Sequence, residues 1–182
     1  MAPGRHDRDS VTDLALDLLD RVGLPDLSMR RLAAELEVQP SALYWHFASK
    51  QELLAAVADR ILSRIPQPNP GTDMATVAAG IRDALLAYRD GAEVVMSTYA
   101  LRLGARRAQD ILQSVIGDSA SADALFEFIL GHATLVQQRM YAQSVGATTD
   151  AAHDPTADLD EVFRAGIRAF ATVGATRDSL GS

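Results

Sequence analysis

Residues 43–50 read LYWHFASK, and they concentrate side chains that the chain otherwise uses sparingly. Tyr44, Trp45 and Phe47 are three of its ten aromatic residues. Trp45 is the sole tryptophan, His46 one of four histidines and Lys50 the sole lysine. A phenol, an imidazole and an ammonium group in so short a run can all donate hydrogen bonds to anionic oxygens. Core packing accounts for one or two of these residues. It accounts poorly for a row of rings with polar edges beside a lone ammonium.

Bulk charge does not help such a cluster attract an anion. The 182 residues carry a net charge of −7, and residues 1–66 hold eight Lys/Arg against ten Asp/Glu. Any contact with nucleic acid must then come from a local group of donors, because no broad positive field supports it. The chain has no cysteine, which excludes disulfides, cysteine-bound zinc and thiol nucleophiles and fits a reducing compartment. MAPGRHDRDS at the N-terminus has no apolar core and no run approaches a membrane span, so neither signal peptide nor membrane contact is expected and the location is cytoplasmic.

The elements that must position residues 43–50 are helical. Val11, Leu14, Ala15, Leu18, Leu19 and Val22 recur at the spacing of one buried helical face, and Gly23 and Pro25 stop that helix. Ser28 is the expected N-cap of a short second helix with Met29, Leu32, Ala33 and Leu36 inward, and Pro40 suits the first position of a third. SKQE at 49–52 has the form of a capping box and opens a fourth helix, with Leu54, Val57, Ala58, Ile61, Leu62 and Ile65 as its stripe. PQPNPG at 66–71 cannot continue a helix and marks a junction. Beyond it the spacing predicts helices at about 73–88, 91–101, 104–116, 121–144 and 158–172, with a loop at 146–158. No stretch alternates as a strand would, so the fold class is all-α.

Three short helices within 8–47, the last two joined by a tight turn, are a helix-turn-helix candidate whose third helix enters the major groove. Leu43 and Phe47 share the core face with Leu36 and Val38. Ser41, Ala42 and Trp45 lie opposite, with Tyr44 at the flank. Tyr44, His46 and Lys50 would bind phosphate oxygens. Ser41 and Arg30 would reach base edges, and Ala42 or Trp45 a thymine methyl. Such three-helix units also serve only as packing, and pattern alone leaves that alternative open.

LSMRRLAAELEVQPSALYWHFASKQELL, residues 27–54, resembles the DNA-binding signature of the tetracycline repressor family. The shared pattern is a Thr/Ser-x-Arg helix start, a Leu-Ala pair, a valine before the recognition helix, Leu-Tyr-x-His-Phe-x-x-Lys and a Leu-Leu pair. The resemblance implies a DNA-binding set of Ser28, Arg30, Gln39, Pro40, Ser41, Ala42, Tyr44, Trp45, His46 and Lys50. Tyr-Trp-His is the form found in the tetracycline repressors proper. Glu37 departs from the family, standing where glycine is usual in the turn, and Ala42 stands where threonine is common.

LLAYRDGAEVV (85–95) and GHATL (131–135) are similar to the pocket-entering segment and the long eighth helix of those repressors. The likeness implies a bacterial regulator in three parts: a helix-turn-helix DNA-binding domain (1–48), a connecting helix (49–65) and a ligand-binding and dimerisation domain (66–182). It further implies a ligand-responsive repressor bound to a palindromic operator as a homodimer, joined through the 121–144 helix and the C-terminal helix. Leu125, Phe128, Ile129, His132, Leu135, Val136 and Met140 form an apolar face broad enough to pack inward and against a partner.

The metal-binding histidine of the tetracycline repressors corresponds to Val95, and three further drug contacts to Pro66, Val77 and Ile81. Aliphatic groups there disfavour tetracycline with its magnesium and favour an apolar effector. The candidate pocket is Val77, Ile81, Val95, Met96, Tyr99, Phe128 and His132, with no cofactor and no resident metal expected. Each also suits a plain core role. In the mechanism this implies, the effector shifts the connecting helix and with it the spacing of two recognition helices, whose half-sites lie about 34–36 Å apart. Two rivals remain at this point: a helical interaction module with a degenerate DNA-binding domain, and an α-helical enzyme. The second lacks any di-iron Glu-x-x-His pair, His-Glu-x-x-His, P-loop or Gly-x-Ser-x-Gly motif.

Overall fold

A computed structural model of the chain describes residues 6–147, 154 and 156–180, with side chains through 172. Within the described residues every regular element is a helix. They are α1 (Arg8–Val22), α2 (Met29–Glu35), α3 (Pro40–Leu43), α4 (Lys50–Leu62), α5 (Met74–Leu86), α6 (Gly91–Ala100), α7 (Arg107–Ile116), α8 (Ser119–Ser144) and α9 (Leu159–Leu180). Among those residues, no helix is long and apolar enough to cross a membrane.

Short polar side chains start most of these helices. Asp7 and Ser10 form a reciprocal capping box on α1, and Ser28, Ser49, Asp73 and Asp118 each accept a backbone N–H in the first turn of the helix they precede. The SKQE box is modified. The Ser49 hydroxyl accepts from the Glu52 N–H at 3.2 Å, but the Glu52 carboxylate reaches past Ser49 to the Ala48 N–H at 3.0 Å.

The apolar stripes read from spacing on α1, α2 and α4 face inward, with Leu14, Val22, Leu36 and Leu54 half-buried at their edges. Leu53 and Ala55, outside the expected α4 stripe, are also buried. This widened face suits a helix covered by α1 on one side and by α5 and α6 on others. PQPNPG lies in the link between α4 and α5, yet one continuous core runs from Val11 through α4 to Ile167.

Two helix limits differ from the sequence expectation. The helix expected from 104 begins at Arg107, because Arg102 (φ 55°), Gly104 (φ 156°) and Ala105 (φ 64°) depart from helical geometry and the Ala105 N–H is drawn to Asp59 at 2.9 Å. The last helix was expected to end near 172 but continues to Leu180, beyond the apolar stripe of Leu159, Phe163, Ile167 and Phe170. The loop expected at 146–158 falls mostly on 148–153 and 155, which lie outside the described residues.

Candidate nucleic-acid interface

The turn joining α2 to α3 is closed by its own backbone. The Val38 N–H donates to the Ala33 carbonyl at 3.0 Å and the Glu37 N–H to Ala34 at 3.2 Å, the paired bonds of a Schellman ending. That motif needs a left-handed residue after the helix, and Glu37 supplies it at φ 55°. Here is the physical reason glycine is usual at this position in the resembling family.

Pro40 opens α3 at its first position, where a missing N–H costs nothing. Gln39 caps it through backbone alone, so the Gln39 amide makes no side-chain capping bond. After Leu43 the chain turns, and the His46 and Phe47 N–H groups both donate to the Leu43 carbonyl at 2.9 Å. Leu43 and Phe47 are fully buried, while between them Tyr44 is 52% exposed and Trp45 90% exposed. Two apolar anchors thus hold a short turn whose aromatic side chains stand in solvent.

The other candidate contacts surround this turn. Ser28, Arg30, Gln39, Pro40 and Ser41 are exposed, and Ala42, His46 and Lys50 are half-buried. The Ser28 oxygen caps α2 by accepting from the Arg31 N–H at 3.2 Å, leaving its proton free to donate outward. Arg30, Arg31 and Lys50 form no ion pair among the described residues. The acids of this segment are largely engaged elsewhere. Asp9 and Asp13 pair with Arg60, each at 3.3 Å, and Glu35 pairs with Arg21 at 3.3 Å. Asp20, Glu52 and Asp59 accept backbone N–H groups. Asp7 is held below the ordinary carboxylate range by the Ser10 backbone N–H first and its hydroxyl second, with a smaller contribution from His46. The net negative count of residues 1–66 therefore coexists with three uncommitted cations.

Two residues of this region escaped the sequence reading. Arg31 adjoins Arg30 and could have been found from that pairing. Arg8 could not. Its guanidinium donates to the His46 carbonyl and lies 4.2 Å from the Phe47 ring centre, a contact spanning 38 residues.

Ring contacts divide three of the candidate pocket residues between two sides of one helix. Val77, Ile81, Val95 and His132 are buried, and Met96, Tyr99 and Phe128 half-buried. Tyr99 packs edge-on against Phe126 at 5.3 Å and donates to Glu127 at 3.1 Å, and its hydroxyl is raised above its ordinary pKa by burial and then by Glu127. Phe128 and His132 instead pack against Phe163 of α9, at 6.1 and 4.9 Å. Residues 126 and 128 lie about 200° apart on a helix, so Tyr99 and the Phe128–His132 pair occupy opposite sides of α8. A groove of about 420 Å³ between α1, α4 and the α6–α7 loop, with Thr12, Asp59, Arg60 and Leu103 in its walls, includes none of the seven.

Comparison with known proteins agrees with this geometry. Residues 11–57 match the family model described as bacterial regulatory proteins, tetR family. Over 98 residues the chain is 43% identical to the tetracycline repressor protein class C of Escherichia coli, covering 50% of this chain and 45% of that one. The match thus spans about half the length of the curated relative. The Mycobacterium smegmatis BioQ crystal structure superposes with a TM-score of 0.83 at 33% identity, covering 94% of this chain and 99% of that one. A structure of BioQ with its natural double-stranded DNA operator gives 0.76 at 31% identity over the same shares.

Proposed function

This chain belongs to the tetR family of bacterial regulatory proteins, and from that membership we propose that it is a one-component transcriptional regulator binding a palindromic duplex operator as a homodimer. The carrying observation is the turn at 44–46: an indole 90% exposed between two fully buried anchors, with Arg30, Arg31 and Lys50 uncommitted nearby. A large ring left in water at the end of a helix-turn-helix is free to enter a groove, because Leu43 and Phe47 already supply the inward packing of this turn. We assign Tyr44, His46 and Lys50 to phosphates, and Arg30, Gln39 and Ser41 to base edges. Ser28 and Pro40 set the two helix starts that aim these groups, and Ala42 and Trp45 supply apolar contact.

We further propose residues 1–48 as the DNA-binding unit, 49–65 as the connecting helix and 66–182 as the sensing and dimerising part. Leu135, Met140 and Tyr141 of α8, Val145 at its C-cap and Val162 of α9 are exposed on the single chain, which supports these two helices as the homodimer seam. The BioQ structure with its DNA operator supports a duplex partner, and with such a partner the location we propose is cytoplasmic. Repression relieved by a small, mainly apolar effector is the mode we assign. The wholly aliphatic Val77, Ile81 and Val95 support the apolar character. No cofactor enters this reading.

Selection of bound sequences from random duplex DNA tests it. A two-half-site consensus, bound by a dimer and with affinity that falls steeply with salt, is the expected result. Recovery of no consensus, or salt-insensitive binding, would overturn it.

A further inference from the structure

The exposed turn is chemically well equipped and mechanically poorly supported. The α3 helix has four residues and no side-chain cap, and 44–46 follow it as a turn. Leu43 and Phe47 fix its two ends from inside, but among the described residues no loop or capping backbone N–H donates to its last carbonyl, that of His46. Arg8 does so from the first turn of α1: its Nη1 donates to the His46 carbonyl while its guanidinium lies 4.2 Å over the Phe47 ring. The planar fork suits both tasks together, since it can stack on a ring face and donate in its own plane, which a lysine ammonium cannot do. The backbone bearing Arg8 is itself fixed, because Asp7 and Ser10 bond reciprocally at 2.8 and 3.0 Å immediately around it.

We propose that Arg8 is a positioning residue for duplex recognition: through the His46 carbonyl and the Phe47 ring it ties the first turn of α1 to the turn that carries Tyr44 and Trp45. The assignment rests on the regulator reading above but adds a residue outside its contact set. Pre-ordering matters here because a loose turn must be immobilised when DNA binds, at a cost in affinity.

The sole tryptophan makes this measurable without DNA. Arg8→Met and Arg8→Lys are compared with the wild type by time-resolved anisotropy of Trp45 in the free protein. Affinity for the duplex that the wild type selects is measured at several salt concentrations. Far-UV circular dichroism and the urea midpoint report the fold. The expected result is faster local motion of Trp45 in both variants and roughly tenfold weaker binding by both, about 1.4 kcal/mol. The salt slope should stay unchanged.

A direct phosphate contact would behave otherwise. Lysine would then rescue binding, methionine would lower the slope by about 0.9, and Trp45 in the free protein would be unaffected. Either rescue by lysine or unchanged Trp45 motion overturns the positioning role, and so does global unfolding of either variant. Should the wild type select no duplex, the regulator reading fails by itself, and the anisotropy still decides whether Arg8 holds the turn.

Discussion

The Asp90 carboxylate accepts a hydrogen bond from the Leu24 N–H at 2.8 Å, joining residues 66 apart. It ties the turn before α6 to the turn after α1, beside a second bond in which the Arg89 N–H donates to Asp20 at 2.9 Å. The contact leaves no room for a side chain at position 23: a Cβ on Gly23 would lie 2.9 Å from the Asp90 oxygen, and its φ of 82° also favours glycine. Asp90 itself sits at φ 55°, a conformation that Asp and Asn tolerate better than other non-glycine residues. Asp90→Ala should then lose about 1–3 kcal/mol, from an orphaned N–H and a strained backbone. Asp90→Asn, which keeps an acceptor, should lose about 1 kcal/mol or less. Equal urea midpoints for alanine and asparagine would show that the bond contributes nothing.

Glu37 occupies the left-handed position of the α2 ending at φ 55°, so replacing it with glycine should stabilise the protein. The gain expected from relief of the left-handed cost is about 1 kcal/mol, reduced by glycine's greater freedom in the unfolded chain. The substitution also removes an exposed carboxylate from the segment carrying Arg30 and Lys50 and should tighten duplex binding at low salt more than at high salt. A lower urea midpoint for Glu37→Gly would contradict the strain assignment.

These two sites mark what spacing could and could not reveal. Helix-forming stripes such as Val11, Ala15, Leu18 and Leu19 depend only on neighbours three and four residues away, so the sequence displays them directly. The outward Trp45 between inward Leu43 and Phe47 follows from the same arithmetic. The departure at Glu37 is visible as an unexpected residue, but only its φ shows why glycine is usual there. By contrast, Arg8 on His46, Asp90 on Leu24 and Asp59 on Ala105 join residues brought together by tertiary packing, and no local pattern announces them. The division of Tyr99 from Phe128 arises from a phase difference of two residues along α8, between Phe126 and Phe128, and a pocket set chosen residue by residue does not display it.

Lys50 stands in the first turn of α4, where the helix dipole disfavours a cation. Its presence there therefore opposes stability, which is expected of a group retained for an external anion. Lys50→Ala should leave the stability read from the urea midpoint unchanged or raise it by about 0.3–0.5 kcal/mol. Duplex affinity should fall, and the salt slope should drop by about 0.9. If the slope kept its wild-type value, Lys50 would not touch phosphate.

His132 is buried between α8 and α9, and among the described residues its Nε2 has no hydrogen-bond partner. Burial first and the Arg82 guanidinium second hold its pKa below the ordinary 6.5, with Asp160 opposing them. Because the folded imidazole resists protonation, the unfolded chain binds the extra proton as pH falls below about 6.5. The stability contribution of neutral His132 is complete above that pH and is lost progressively until the folded group also titrates. His132→Phe, which keeps a ring beside Phe128 and Phe163, should raise the melting temperature more at about pH 5.5 than at about pH 8. A gain equal at both would mean that the folded imidazole titrates like the unfolded one and that burial does not lower its pKa.

Gly166 lies under the Phe128 ring, and a Cβ built on it would overlap the ring's Cζ, Cε1 and Cε2 atoms. Phe128 has little freedom to withdraw, since it stacks 13° from parallel on Phe163 at 6.1 Å and meets Phe170 at 5.8 Å. Gly166→Ala should then cost about 1–3 kcal/mol through overpacking, although alanine alone would favour the helix by about 1 kcal/mol. The ring and the glycine should also be coupled. Phe128→Leu removes the clashing atoms, so in that background Gly166→Ala should become neutral or stabilising. A double-mutant cycle with no coupling would show that α9 slides freely over the ring, and that the fit of Phe128 to Gly166 does not set how α9 docks on α8.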